Sequence, residues 1–61
     1  ANAERTARNQ IRLLHRQART AAWRGDEARS AELLDMVLTM DPGNEAARAD
    51  RDALTERPAQ P

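Results

Sequence analysis

Arginine is the residue type whose chemistry and spacing form the clearest pattern in this sequence. Arginines recur at intervals of three or four residues, which places five of them in a row along one side of a helix: Arg5, Arg8, Arg12, Arg16 and Arg19. A guanidinium group binds carboxylates and phosphates through planar, paired hydrogen bonds. This arginine row is therefore chemically suited to an acidic protein surface or to a nucleic-acid backbone.

Charge is divided unevenly along the chain, although the net charge is zero. Residues 1–24 contain six arginines and one glutamate, a net +5, whereas residues 25–61 contain four arginines and nine acidic residues, a net −5. This complementarity favours pairing of the arginine row with the acidic half, within one chain or between subunits, ahead of an acidic protein partner. Nucleic acid is the least favoured of the three, because proteins that bind it are usually basic overall. A solvated polar face is the plainest alternative to all of them.

Catalytic and metal-binding residue types are scarce. His15 is the only histidine and there is no cysteine, so neither thiolates nor a cluster of imidazoles can form a metal site. Ser30 is expected where two helices touch, and Asp50 and Asp52 point to different faces of a helix. These residues supply no nucleophile–base pair. We therefore predict that the chain is not an enzyme, has no cofactor, metal or small-molecule substrate, and holds His15 solvated or packed at a helix edge.

The composition favours helices over strands. Alanine is the most frequent residue, whereas there is no phenylalanine or tyrosine and only one tryptophan. The predicted fold class is all-α, with a thin core of alanine, leucine and methionine. A chain of 61 residues buries only about 60% of the surface that its unfolded state exposes, so we expect a partner or an oligomer to contribute to stability.

The sequence carries no pattern typical of a membrane span or a secretion signal. Its apolar runs are all shorter than the roughly 18 residues that a spanning helix requires. A cytoplasmic location is the expectation, although a mature secreted chain or an excised fragment would also begin without methionine.

Three helices can be placed from the residues that start and stop them. The first, at about residues 4–23, ends at Gly25, since glycine accepts the positive φ that often follows a helix. The second, at about 27–40, begins after Asp26, a good N-cap. The third spans about 45–56.

The third helix follows Asn44, another good N-cap, and its apolar content is slight. We therefore expect it to act as a solvating cap on the hairpin that precedes it. Residues 1–57 form a single module in this prediction, and residues 58–61 form a disordered tail.

The apolar positions of the first two helices predict how they pack. The first helix carries one apolar stripe: Ala3, Ala7, Ile11, Leu14, Ala18, Ala21 and Ala22. The second is apolar on two flanks, one with Leu33, Met36, Val37 and Met40 and the other with Ala31, Leu34 and Leu38. A helix with two apolar flanks needs two neighbours. We expect Met36 and Met40 to fill the core, in preference to the alternative that they form an adaptable binding surface.

Trp23 lies off the apolar stripe, at the end of the first helix, and permits two interpretations. The ring either covers the Gly25 turn with Arg19 or Arg24 stacked on it, or serves as an exposed anchor for a partner. Leu13, which also lies off the stripe, favours the second interpretation.

Residues 11–44 resemble one tetratricopeptide repeat. Turns at Gly25 and Pro42 bound the second helix, and large and small residues stand at the places that the repeat gives them: Leu14, Ala18, Ser30 and Leu34. The resemblance implies a helical hairpin, with Ala18 and Ser30 at the contact between its helices, that acts as a protein-binding scaffold. The pattern does not continue after Asn44, which implies one hairpin with a capping helix.

A weaker resemblance concerns residues 31–34 (AELL) and 41–48 (DPGNEAAR). These segments are similar to the helical region that follows the catalytic domain of metallo-β-lactamase-fold alkyl sulfatases. That resemblance implies a non-catalytic dimerisation segment or a small subunit of a larger enzyme.

The predicted function is a protein-interaction or assembly module that binds a partner protein or a second copy of itself. Its mechanism would be docking through apolar helix faces, with arginines pairing with carboxylates. The candidate partner-binding residues are Arg12, Arg16, Arg19, Trp23, Leu33, Val37 and Met40. The non-catalytic enzyme fragment is the alternative, and a nucleic-acid-binding helix ranks third.

Overall fold

The structure is a computed structural model that describes residues 2–56. It contains three helices, α1 (Asn2–Trp23), α2 (Glu27–Met40) and α3 (Glu45–Glu56), and this range holds no strand. The predicted all-α fold, a hairpin followed by a third helix, is confirmed. Helices α2 and α3 have the expected bounds, and α1 begins two residues earlier than expected. The predicted tail, residues 58–61, lies outside the described residues.

The turn between α1 and α2 is built by Gly25 and Asp26. Gly25 has a φ of +89°, and its N–H donates to the carbonyl of Ala22 at 3.0 Å, while the N–H of Asp26 donates to the carbonyl of Ala21 at 2.8 Å. These bonds satisfy carbonyls that the end of α1 would otherwise leave unpaired. The carboxylate of Asp26 then accepts from the N–H of Arg29 at 3.1 Å, which makes Asp26 the N-cap of α2.

A second capped turn leads from α2 to α3. The N–H of Asp41 donates to the carbonyl of Val37 at 2.7 Å and closes α2. Asn44 caps α3, since its side-chain oxygen accepts from the N–H of Ala47 at 3.0 Å. Both turns are thus formed by local bonds, which is why the sequence predicted them.

Helices α1 and α2 approach closely at two small residues. Ala18 and Ser30 are both buried, and the Ser30 hydroxyl donates to the carbonyl of Ala18 at 2.8 Å. A short turn and this contact make the two helices antiparallel neighbours. The small side chains allow the approach, and the hydrogen bond removes the cost of burying the hydroxyl.

The core lies along α2, which packs on α1 and on α3. Its fully buried residues are Ala18, Leu33, Leu34, Val37 and Ala47, and Ile11, Leu14, Leu38 and Leu54 pack at its edge. The expected two neighbours of α2 are therefore present. The expectation that Met36 and Met40 fill the core is wrong, because these side chains are 48% and 41% exposed, whereas Leu33 and Val37 of the same flank are buried.

Helix α1 is much longer than α2, with 22 residues against 14. At 1.5 Å per residue, α1 is about 33 Å long and α2 about 21 Å, so the first turns of α1 extend beyond the hairpin. Ala3 is therefore exposed and Ala7 only half-buried, although the apolar stripe predicted that both would be covered. The described chain is correspondingly elongated, at 48 × 21 × 13 Å.

Candidate functional site

The arginine row lies on the exposed side of α1, and one of its members contacts α3. Arg19 Nε lies 3.6 Å from Asp50 Oδ2, with the Arg19 side chain 70% exposed. Within residues 2–56, the ion pairs include neither Arg12 nor Arg16. Pairing of the row with the acidic half of the same chain is thus limited, in this part of the chain, to Arg19.

His15 makes the shortest polar contact between α1 and α3. Its Nε2 lies 2.7 Å from Asp50 Oδ2, and its side chain is 16% exposed. The Asp50 carboxylate is therefore shared between His15 and Arg19. Sequence reasoning placed His15 at a helix edge but missed this partner, because the two residues are 35 positions apart and no local pattern connects them.

A shallow pocket lies where α1 faces the start of α3. It has a volume of about 360 Å³ and is lined by Arg12, His15, Arg16, Arg19 and Ala46. The structure thus brings together the three arginines proposed from the sequence. Their guanidinium groups can bind carboxylate or phosphate oxygens, and the exposure of the pocket means that each contact competes with water.

A second, larger groove runs along the hairpin and is lined by α1, α2 and the turn between them. We call it the hairpin groove, and its volume is about 390 Å³. Leu13 supplies exposed apolar surface and the nearly buried Leu33 also borders the groove, while Arg16, Arg24 and Arg29 supply positive charge. Arg16 stands on the ridge between the two pockets and lines both.

The apolar residues proposed for partner binding divide into two groups. Leu33 and Val37 are 3% and 0% exposed, so they stabilise the chain itself and present almost no surface to a partner. Met40 is 41% exposed and can contact one. The physical reason is that α1 and α3 pack against the side of α2 that holds Leu33 and Val37 and leave Met36 and Met40 partly open.

Trp23 is 87% exposed, and Leu13 is 54% exposed. A ring so exposed covers little of the Gly25 turn, so the interpretation of Trp23 as a cover for that turn is wrong. The indole is instead available as a contact surface, and so is Leu13.

Comparison with models of known protein families, with curated proteins and with solved structures gave no match. Among residues 2–56, no three histidine or acidic side chains are grouped closely enough to hold a metal ion. None of the three helices combines the length and the apolar character that crossing a membrane requires, in the part of the chain described.

Proposed function

We propose that this chain is a protein-interaction or assembly module built as a single hairpin of the tetratricopeptide type with a capping helix. The observation that carries the proposal is the exposure of four large apolar side chains outside the buried core: Leu13, Trp23, Met36 and Met40. Apolar side chains clustered on a protein surface mark sites of association more often than isolated ones do. We retain the prediction of a cytoplasmic location as part of this proposal.

Two of the four residues lie at the same level of the hairpin. Ala18 lies opposite Ser30, and the two helices are antiparallel, so Leu13 on α1 falls at the level of Met36 on α2. Their side chains are both about half exposed. Together with Met40, one turn further along α2, they form an apolar surface that a partner can cover.

The contact between Ala18 and Ser30 supports the tetratricopeptide-like character of the hairpin. The resemblance assigns small residues to these two positions because the helices touch there, and the hydroxyl of Ser30 does lie 2.8 Å from the carbonyl of Ala18. In such a module the apolar surface supplies affinity, while exposed arginines such as Arg12 and Arg16 attract and orient an acidic partner.

The test uses two variants expressed in cells, each with one substitution that introduces a negative charge. Leu13→Glu places a charge on the apolar surface, and Ala49→Glu places the same charge on an exposed position of α3. Proteins cross-linked to the wild-type chain are then compared with those cross-linked to each variant. We expect Leu13→Glu to lose specific partners that Ala49→Glu retains. Identical patterns for the wild type and both variants would refute binding of another protein through this surface.

Self-association is a second way to perform the same function, as in the dimerisation segment of the alkyl sulfatases. The opposite net charges of residues 1–24 and 25–61 favour it, since two copies can place unlike halves together. Sedimentation at two concentrations separates the cases. Self-association is supported if the molecular mass of the wild type rises with concentration and Leu13→Glu remains a monomer. If the wild type is a monomer at both concentrations, the partner is another protein.

A further inference from the structure

The hairpin groove combines an apolar end with a basic end. On α2, positions 29, 33, 36 and 40 lie in one row, because they are three or four residues apart. The row begins at Arg29, in the groove, and ends at the exposed Met36 and Met40. Leu13, on α1, lies at the apolar end, and Arg24, in the turn directly after α1, lies at the other end.

Positive charge exceeds negative charge in this groove. Three arginines line it, Arg16, Arg24 and Arg29, against one carboxylate, Asp26, which already accepts from the N–H of Arg29. Arg29 also lies 3.4 Å from Glu32, but both side chains are more than half exposed, so a ligand carboxylate can replace this pair at little cost.

We propose that the hairpin groove binds an acidic amphipathic helix of another protein. This inference rests on the proposed function and names the chemistry of its partner. The apolar face of the incoming helix covers Leu13, in the groove, and the exposed Met36, which lies beyond the residues that line the groove, and its carboxylates pair with Arg16 and Arg24. A third helix is the element that fits, because two antiparallel helices form a groove into which the side chains of another helix interdigitate.

The spacing of the groove residues defines the length and pattern of the ligand. The groove extends over 11 positions, from Leu13 on α1 to Arg24 directly after it, or about 16 Å, which corresponds to three turns of a bound helix. Arg16 and Arg24 are eight positions apart, about 12 Å along the axis. Acidic residues seven or eight positions apart on the ligand helix match this distance.

Two other occupants fit this groove less well. A symmetric dimer through the groove would bring Arg16, Arg24 and Arg29 of both copies into one interface, where like charges repel. A nucleic-acid backbone would pair with the arginines but would leave Leu13 and Met36 uncovered. An acidic amphipathic helix satisfies both ends of the groove.

The inference is tested with synthetic peptides of about 18 residues, a length at which an isolated helix is marginally stable. The first peptide has leucines along one helical face and glutamates seven or eight residues apart on its flanks. The second has lysine in place of every glutamate. The third has the composition of the first, with its leucines and glutamates permuted so that no apolar face forms. Binding to the full chain is measured by fluorescence anisotropy at low and at moderate salt.

We expect the first peptide to bind about 10-fold more tightly than either of the others, a difference of about 1.4 kcal/mol, and to lose affinity as salt rises. The double variant Arg16→Glu and Arg24→Glu should weaken binding by about 10-fold or more. The matched control is Arg5→Glu and Arg8→Glu, which makes the same change of charge on exposed positions outside the groove. Each variant must retain the helical circular dichroism and the unfolding midpoint of the wild type to be compared.

Three results would overturn the inference. Equal binding of the acidic and basic peptides would show that charge does not select the ligand. Equal losses of peptide affinity in the groove variant and in its control would show that the net charge of the chain alone attracts the peptide. Absence of peptide binding overturns the inference by itself, whereas the proposed function fails only if Leu13→Glu also leaves both cellular partners and self-association unchanged.

Discussion

The division between core and surface on α2 can be tested by shortening two side chains that lie two positions apart. Leu34 is 1% exposed and belongs to the core, whereas Met36 is 48% exposed. Leu34→Ala removes three carbon atoms from a filled site. At about 0.8 kcal/mol for each buried methylene, the transfer term is about 2.4 kcal/mol, and the cavity left behind raises the loss to about 3–5 kcal/mol.

Met36→Ala is the matched control, since it also truncates an apolar side chain of α2 to alanine. Full burial of a methionine contributes about 1.5–3 kcal/mol, so a half-exposed one loses about 1 kcal/mol. A chain of 61 residues has a total stability of about 3–9 kcal/mol. The first substitution therefore removes a large part of the stability, and the second leaves most of it.

Urea unfolding followed by far-ultraviolet circular dichroism measures both losses. With a slope of about 1 kcal/mol per molar urea, Leu34→Ala should lower the midpoint by about 3 M, or abolish folding in water, and Met36→Ala by about 1 M or less. Equal losses would refute the assignment of Leu34 to the core and of Met36 to the surface. Repeating the wild-type measurement at two protein concentrations shows whether a second copy covers Met36, since the midpoint would then depend on concentration.

Three further predictions follow from the turns, the contact between α1 and α3, and the exposed indole. Gly25→Ala should cost about 1 kcal/mol because of the φ of +89°, whereas Gly43→Ala should be neutral or gain up to about 1 kcal/mol, since its φ lies outside the left-handed region and an added Cβ meets no atom within 4 Å. A urea midpoint for Gly25→Ala that is no lower than that of Gly43→Ala would contradict the role of Gly25 as a cap. His15→Ala and Asp50→Ala should each lower the free energy of unfolding by about 1–2 kcal/mol. The double variant should lose about 1 kcal/mol less than the sum of the two single losses, because both substitutions break the same 2.7 Å contact. Additive losses in this double-mutant cycle would mean that the contact does not hold α3 against α1. Trp23 emission should shift little on unfolding, because the ring is already 87% exposed, and a clear red shift would show that it is packed.

The helices and their ends could be predicted because the signals that set them are local. The φ of Gly25 and the caps formed by Asp26 and Asn44 depend on residues within one turn of the chain. The closest contact of the hairpin could also be predicted. Small residues at Ala18 and Ser30 leave room for two backbones to approach, whatever surrounds them.

The candidate site was less predictable, since exposure depends on what covers each flank. The apolar pattern of α2 identified both flanks, but it could not decide that Val37 is fully buried and that Met40 is 41% exposed. The two residues are three positions apart and lie on the same side of the helix. The positions of α1 and α3 around α2 decided between them.

The arginine row shows most directly what the sequence determined by itself. Intervals of three and four residues place the five arginines along one side of α1, because the helical repeat is fixed at 3.6 residues per turn. Which carboxylate each arginine meets was decided by the tertiary structure alone. Helix α3 crosses near the end of the row, so Asp50 pairs with Arg19 and His15, while Arg12 and Arg16 remain exposed on the surface beside the hairpin groove.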